Sequence, residues 1–132
     1  MIVEFHLNPH LGNVDVKFKP AFISIKDLQR LVTYFEEHIA RLQQDPDSES
    51  YTFTTYGLNF QLQGLSGEVR SLNDGEFSIR VMLNFGLSNL EASRTYVGSE
   101  SVVTLENIHN FTSSLQALLT ELGFNEVAIH QL

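Results

Sequence analysis

The chain contains no cysteine and no tryptophan. Without cysteine it can form no disulfide, no thiolate metal site and no cysteine nucleophile, and it suits a reducing compartment. Its apolar runs stay well short of the roughly 18 residues that a membrane-spanning helix requires. Its first residues, from Met1 onward, show neither the basic nor the apolar region of a secretory signal. These absences favour a cytoplasmic protein with no membrane partner.

Basic residues are also scarce, with eight Lys and Arg against 16 Asp and Glu and a formal net charge of −8. Nucleic-acid phosphates repel such a surface, so we expect no nucleic-acid partner. The same charge attracts a basic protein, although many cytoplasmic proteins are acidic simply for solubility. With 132 residues, of which 42% are hydrophobic, the chain predicts a single globular domain spanning residues 1–132.

Recognisable motifs of catalysis and cofactor binding are missing as well. The chain has no HExxH sequence, no nucleophile elbow and no glycine-rich phosphate loop. Asp45, Asp47 and Glu49 imitate the start of a calcium loop, but the glycine and the final glutamate of an EF-hand do not follow. His6 and His10 could share a metal only through a folded turn, and we predict that the histidines lie at the surface. We therefore expect no enzyme, no metal site and no cofactor, although an active site assembled from distant residues leaves no motif.

Residues 76–85 carry the clearest periodicity in the chain. Apolar side chains occupy every second position, and mostly polar ones lie between them. Successive side chains of a strand point to opposite faces, so this alternation predicts a strand with one buried face. The apolar positions are Phe77, Ile79, Val81, Leu83 and Phe85.

Two segments show helical periodicity instead. Residues 25–43 place apolar side chains three and four positions apart behind Ser24, which can cap the helix, and Asp27 occupies the acidic position of a capping box. A second helix is predicted behind Thr104 and ends near Gly123, which suits a left-handed residue after a helix. Its predicted buried stripe consists of Leu105, Ile108, Phe111, Leu115, Leu118, Leu119 and Leu122.

Shorter alternating segments predict the remaining strands. Gly64 and Gly67 are expected to end one strand and to separate it from the next. Asn73-Asp74-Gly75 predicts a tight hairpin turn, because Asp-Gly suits positive φ angles. Residues 86–94 are expected to form a loop. The predicted strands are 1–7, 14–18, 51–55, 58–63, 68–72, 95–103 with a break, and a short one near 127–129.

These elements predict an α+β fold of two layers. Strands with only one apolar face are typical of an antiparallel sheet, and helices with one apolar stripe can cover that face. We therefore expect an antiparallel meander sheet with two helices packed on one face. The opposite face is either a solvent-exposed surface without a binding role or a docking surface. It is predicted to carry Asp15, Lys17, Thr52, Thr54, Asn59, Gln61, Gln63 and Arg80.

The densest negative charge lies between residues 36 and 49. Five acids and a single base, Arg41, occur there, and a basic partner would be steered toward them. Neighbouring acids on a helix can equally be no more than a solvated face. Three polar residues of the sheet complete our predicted partner-binding surface. This surface comprises Glu36, Glu37, Asp45, Asp47, Glu49, Asn59, Gln61 and Gln63.

Several stretches resemble the WapI-type immunity proteins, small bacterial proteins that neutralise a polymorphic toxin. They are VDVKF at 14–18, FISIKDL at 22–28, LNFQL at 58–62, GEV at 67–69 and the closing run 108–122. The resemblance implies a stoichiometric inhibitor without catalysis, bound to a toxin domain. Acidic immunity proteins commonly cover basic nuclease sites, with which the net charge of −8 agrees. The resemblance carries no individual site residue onto this chain.

Three classes of function remain open at the level of sequence. The leading hypothesis is a non-enzymatic, immunity-like domain that binds a protein, with a basic toxin domain as the expected partner. The second is a small-ligand-binding or regulatory domain with a pocket between sheet and helices, lined by Phe and Tyr. An enzyme is the third. An exposed strand edge allows either a monomer or a homodimer.

Overall fold

The computed structural model of this protein describes residues 2–3, 21–22, 24–57, 60–84 and 96–123. Two helices pack on one side of an open antiparallel sheet, so the predicted α+β class is confirmed. In chain order the elements are β1 (Ile2–Val3), β2 (Ala21–Phe22), α1 (Ile25–Gln44), β3 (Phe53–Thr54), β4 (Phe60–Ser71), β5 (Asp74–Asn84), β6 (Tyr96–Thr104) and α2 (Leu105–Glu121).

The main sheet is a meander in which β5 is an inner strand. The strand order is β3-β4-β5-β6, and all neighbours are antiparallel. Phe77 and Leu83 of β5 are 1% and 5% exposed, whereas Arg80 on the opposite face is exposed, as the alternation predicts. β1 and β2 form a separate antiparallel pair. The strands predicted at 14–18 and 127–129 and the loop 86–94 lie outside the described residues.

α1 begins as its sequence predicts. Ser24 Oγ accepts a hydrogen bond from Asp27 N at 3.1 Å, and Asp27 Oδ2 accepts one from Ser24 N at 3.4 Å, which completes a capping box. Asp27 is 2% exposed, and its Oδ1 accepts two more hydrogen bonds, from Arg30 Nη1 at 3.0 Å and Tyr56 N at 3.1 Å. The cap therefore fixes both the start of the helix and the turn at Tyr56.

α2 follows β6 without an intervening loop. Thr104 ends the strand and caps the helix, because its Oγ1 accepts a hydrogen bond from Asn107 N at 3.1 Å. Gly123 follows the helix with a φ of +88°, the left-handed conformation that the sequence predicts there.

The predicted burial of Phe111 on α2 is wrong. Its side chain is 45% exposed and contacts α1 through an edge-on arrangement with the Phe35 ring, at 6.1 Å between centroids. Leu122 is 49% exposed as well. α2 buries only one narrow line of positions, and Phe111 lies beside it. The buried residues are Leu105, Ile108, Thr112 and Leu119.

The prediction that Gly64 and Gly67 interrupt a strand is also wrong. β4 is continuous, and its register against β5 shifts between the two glycines, which marks a β-bulge. A Cβ on Gly67 would collide with Glu76 O and the Cβ of Phe77, so glycine allows the strands to approach closely. The break predicted within β6 is likewise absent. Gly98 lies inside this continuous strand, where a Cβ would collide with the carbonyl oxygen of Val81.

The tight turn between β4 and β5 begins one residue earlier and ends two residues earlier than predicted. Ser71 pairs with Asp74, so Leu72 and Asn73 form the loop and Asp74 already belongs to β5. Gly75 is required inside the strand, where a Cβ would meet the carbonyl oxygen of Glu68. In this hairpin the glycine of the Asp-Gly pair is therefore needed for the close approach of β5 to β4, and the turn is formed by the two residues before Asp74.

Side chains from both helices and from β3, β4 and β5 fill the space between the two layers. Three aromatic residues of this core pack edge to face, because Tyr34 lies 6.1 Å from Phe35 and 5.7 Å from Phe53 between ring centroids. The buried cluster comprises Leu28, Leu31, Tyr34, Phe35, Leu42, Phe53, Phe60, Leu62, Phe77, Leu83, Leu105, Ile108 and Leu119.

Candidate functional site

The acidic residues predicted from the sequence lie on α1 and on the loop that follows it. All five are exposed. Adjacent helix positions are about 100° apart, so Glu36 and Glu37 diverge. Glu36 lines a groove between the two helices, whereas Glu37 lines a cavity beside Tyr51. We call this set the acidic surface. It comprises Glu36, Glu37, Asp45, Asp47 and Glu49.

Residues 45–50, which we call the acidic loop, are held along the edge of β4 by backbone hydrogen bonds. Pro46 O accepts one from Gly67 N, and Ser50 N donates one to Gly64 O, both at 3.0 Å. Within the loop, Asp45 Oδ1 accepts a hydrogen bond from the backbone nitrogen of Asp47 at 3.0 Å. The loop is therefore anchored at the β4 bulge, and Asp47 and Glu49 remain exposed.

Gln63 joins the acidic loop to the outer face of the sheet. Its Nε2 donates a hydrogen bond to Ser50 O at 3.0 Å, and its Oε1 accepts one from Arg80 Nη1 at 3.2 Å. Gln61 is half-buried on the same strand and pairs with Met82 in the sheet. The predicted sheet residues thus adjoin the loop at Gln63. Asn59 lies outside the described residues.

The acids of the sheet form ion pairs with arginines, whereas the acids of the acidic surface do not. On the sheet, Arg70 forms ion pairs with Glu68, Asp74 and Glu76, and Arg80 Nε donates to Glu100 Oε1 at 2.8 Å. None of the five members of the acidic surface forms an ion pair with another described residue. Glu106 and Glu121 on α2 also form no such ion pair, but the largest group of acids without one in the described part of the protein lies on α1 and the acidic loop.

The Arg70 cluster shows the effect of such ion pairing. Hydrogen bonds from the Arg70 guanidinium, helped by its charge, lower the pKa values of the Asp74 and Glu76 carboxyl groups below their usual values. All three side chains are well exposed, so solvent screens these pairs and they add little to stability. Arg70 offsets one of the three negative charges at the hairpin end of the sheet.

A buried polar group beneath the acidic loop connects α1 to β4. Tyr34 is 2% exposed, and its hydroxyl donates a hydrogen bond to Tyr51 O at 2.6 Å and accepts one from Gly64 N at 2.9 Å. One helix residue therefore satisfies backbone groups of two separate segments. Burial raises the pKa of this hydroxyl, which keeps it protonated and able to donate.

His38, one turn further along α1, completes this group. The prediction that the histidines lie at the surface is wrong for His38, which is 0% exposed. Its Nε2 lies 2.9 Å from Leu65 O and its Nδ1 2.7 Å from Ser50 Oγ. A carbonyl oxygen only accepts, so Nε2 carries the proton and Nδ1 accepts from the Ser50 hydroxyl. The sequence contains one signal of this burial. His38 lies three positions after Phe35 and four before Leu42, which places it on the apolar stripe of the helix.

Burial lowers the pKa of His38 below its usual value, with a further contribution from the positive charge of Arg41. The unfolded chain therefore binds a proton more readily than the native protein, and stability falls as the pH drops below about 6.5. We expect the wild-type protein to lose about 1 kcal/mol more than a His38→Gln variant between pH 7.5 and 5.5. Urea unfolding of both proteins at the two pH values measures this difference. Equal losses would show that His38 is not neutral in the native state.

The described residues contain no helix long and apolar enough to cross a membrane and no cluster of His, Asp and Glu that could hold a metal ion. Comparison with protein-family models, with curated proteins and with solved structures finds no match. The function must therefore be inferred from the geometry and charge of the molecule itself.

Proposed function

We propose that this chain is a non-enzymatic protein-binding domain that inhibits a basic protein by covering it with the acidic surface. The observation that carries the proposal is the contrast between paired and unpaired acids. Glu68, Asp74, Glu76 and Glu100 are ion-paired with Arg70 or Arg80, whereas the five acids of the acidic surface form no ion pair with a described residue. Uncompensated charge on one part of a surface attracts and orients a partner of opposite charge.

The anchoring of the acidic loop supports this proposal. Its backbone is bonded to β4 at both Gly64 and Gly67, and the buried Tyr34 hydroxyl holds the neighbouring segment. A loop that is already ordered loses less conformational entropy when a partner binds. Asp47 and Glu49 are therefore presented on a fixed backbone, as electrostatic recognition of a defined partner requires.

The resemblance to WapI-type immunity proteins suggests the kind of partner. Such a protein would bind a toxin domain stoichiometrically and act in the cytoplasm of a bacterium. A nuclease toxin is a fitting partner, because an enzyme that binds nucleic acid carries basic residues around its active site. The acidic surface would occupy that site and exclude the substrate.

Neutralising the acidic loop should weaken partner binding. In the variant Asp45→Asn, Asp47→Asn, Glu49→Gln, the amide introduced at position 45 still offers its oxygen to the loop backbone, so the fold is kept. We expect the affinity for the captured partner to fall about tenfold or more, with a weaker dependence on salt. Capture from native cells at low salt, followed by titration with the purified basic partner, measures both.

A charge-matched control separates the acidic loop from total charge. The variant Ser113→Lys, Ala117→Lys, Thr120→Lys changes the net charge by the same three units at exposed positions of α2. We expect its affinity to stay within about twofold of the wild type, because screening limits distant charges. Equal weakening by the two variants would contradict the assignment of the acidic surface, and an unaltered affinity in the loop variant would do so as well.

A further inference from the structure

A cavity of about 250 Å³ lies on the side of α1 that faces Tyr51 and Tyr56. It is large enough to hold part of a small organic molecule. α1 forms its floor, and the two tyrosines form its walls. The side chains that line it include Lys26, Gln29, Arg30, Glu37, Tyr51 and Tyr56.

The two aromatic walls are held in place by the fold although they are 58% and 67% exposed. The Tyr51 ring meets the buried Tyr34 ring edge to face, at 5.4 Å between centroids and 88° between planes. The Arg30 guanidinium lies 4.5 Å from the centre of the Tyr56 ring, and Tyr56 N donates to Asp27 Oδ1. Preformed aromatic walls around a few polar groups are typical of small-molecule sites.

Gln29 provides an unsatisfied polar group in the floor of the cavity. Its side chain is 4% exposed, and its Nε2 has no hydrogen-bond acceptor among the described residues. A buried donor without an acceptor destabilises the free protein. Rotation of the side-chain amide toward the cavity would allow an acceptor on a bound molecule to satisfy it.

Charge is unevenly distributed along the cavity. Lys26 and Arg30 flank Gln29 at one end, and Glu37 lies two helical turns further on, about 12 Å along the axis from Gln29. Arg30 is ion-paired with the buried Asp27, so Lys26 supplies the positive charge that attracts an anionic group at the first end. Glu37 repels such a group and accepts hydrogen bonds from a donor. The walls between the two ends suit a planar, apolar body.

We propose that this cavity binds a small aromatic carboxylate, with its carboxylate between Lys26, Gln29 and Arg30 and a hydrogen-bond donor at Glu37. On binding, the Gln29 amide turns toward the carboxylate and gains the acceptor that it lacks in the free protein. This site is separate from the acidic loop, although it shares Glu37 with the acidic surface, and its tests need no protein partner.

The first test compares matched probes on the full chain. 4-Hydroxyphenylacetate carries both end groups, phenylacetate lacks the donor, and 4-hydroxyphenylacetamide lacks the negative charge. We expect 4-hydroxyphenylacetate to bind with a dissociation constant below about 1 mM and the amide at least about tenfold more weakly. Isothermal titration measures the affinities. Equal affinity for acid and amide, or no binding of any probe, would overturn the proposal.

The second test uses Gln29→Leu, which gives two opposed readouts. Removing the unsatisfied amide should raise the melting temperature of the free protein by about 2–5 °C. The same change should weaken 4-hydroxyphenylacetate binding about tenfold or more. Lys26→Gln should weaken binding without the rise in melting temperature.

The matched control is Gln44→Leu, an exposed position at the far end of α1. It lies about 22 Å along the helix from Gln29, so neither readout should change. Full binding by Gln29→Leu, or a fall in its melting temperature, would exclude the assigned role of this amide.

Discussion

Gly64→Ala is expected to lower the free energy of unfolding by about 3 kcal/mol. A Cβ at this position would lie 2.6 Å from both Cγ and Cδ2 of the His38 ring. The ring cannot move aside cheaply, because both of its nitrogens are hydrogen-bonded and its other side lies 4.8 Å from the Phe77 ring between centroids. Either the ring or the β4 backbone must shift, which also strains the bond from Gly64 N to Tyr34.

Urea unfolding of single and double variants tests this cause directly. If the collision with His38 is responsible, Gly64→Ala should cost much less in a His38→Ala background than in the wild type. Ser66→Ala, at an exposed position in the same bulge, should change stability by no more than about 0.5 kcal/mol. Additive costs in the double variant would show that the ring does not limit the space at Gly64.

Phe77→Ala is expected to destabilise the protein by about 3–5 kcal/mol, the usual cost of removing a buried phenylalanine. Phe77 is 1% exposed and belongs to the cluster that joins β5 to both helices. Its loss leaves a cavity against His38 as well as removing apolar contact. Since domains are stable by only about 5–15 kcal/mol, the variant should be close to unfolding at 37 °C.

Phe111→Ala is the matched control for this prediction, because it makes the same change at a residue that is 45% exposed. We expect a cost of about 1 kcal/mol or less, from the edge contact with Phe35. Equal costs at the two positions, measured by urea unfolding, would contradict the assignment of Phe77 to the core and Phe111 to the surface.

The regular parts of this fold are predictable from local chemistry. Ser24 and Asp27 predict a capping box, and the alternation around Phe77 predicts a strand with one buried face. Each of these patterns consists of residues that are close together in the sequence. The helix stripe of α2 is less predictable, since any leucine or phenylalanine fits an apolar stripe. Only the arrangement of α1 and the sheet decides that Thr112 faces inward and Phe111 does not.

Glycine shows most clearly where sequence reasoning fails. A glycine in a strand pattern suggests a break, a bulge or a close contact, and the sequence does not distinguish them. At Gly64 the deciding neighbour is His38, which is 26 positions earlier in the chain. The burial of His38 and the unsatisfied amide of Gln29 likewise depend on segments distant in sequence, so no local pattern reveals them. The acidic surface was predictable as a cluster, but the absence of ion pairs between it and the other described residues was not.

The central claim is that a basic protein partner covers the acidic surface. Hydrogen exchange of backbone amides, compared between the free chain and its complex with the captured partner, tests this most directly. We predict slower exchange in residues 40–50, which include the end of α1 and the acidic loop, and unchanged exchange in α2. Protection confined to α2 or to β6, with residues 40–50 exchanging as in the free chain, would contradict the claim.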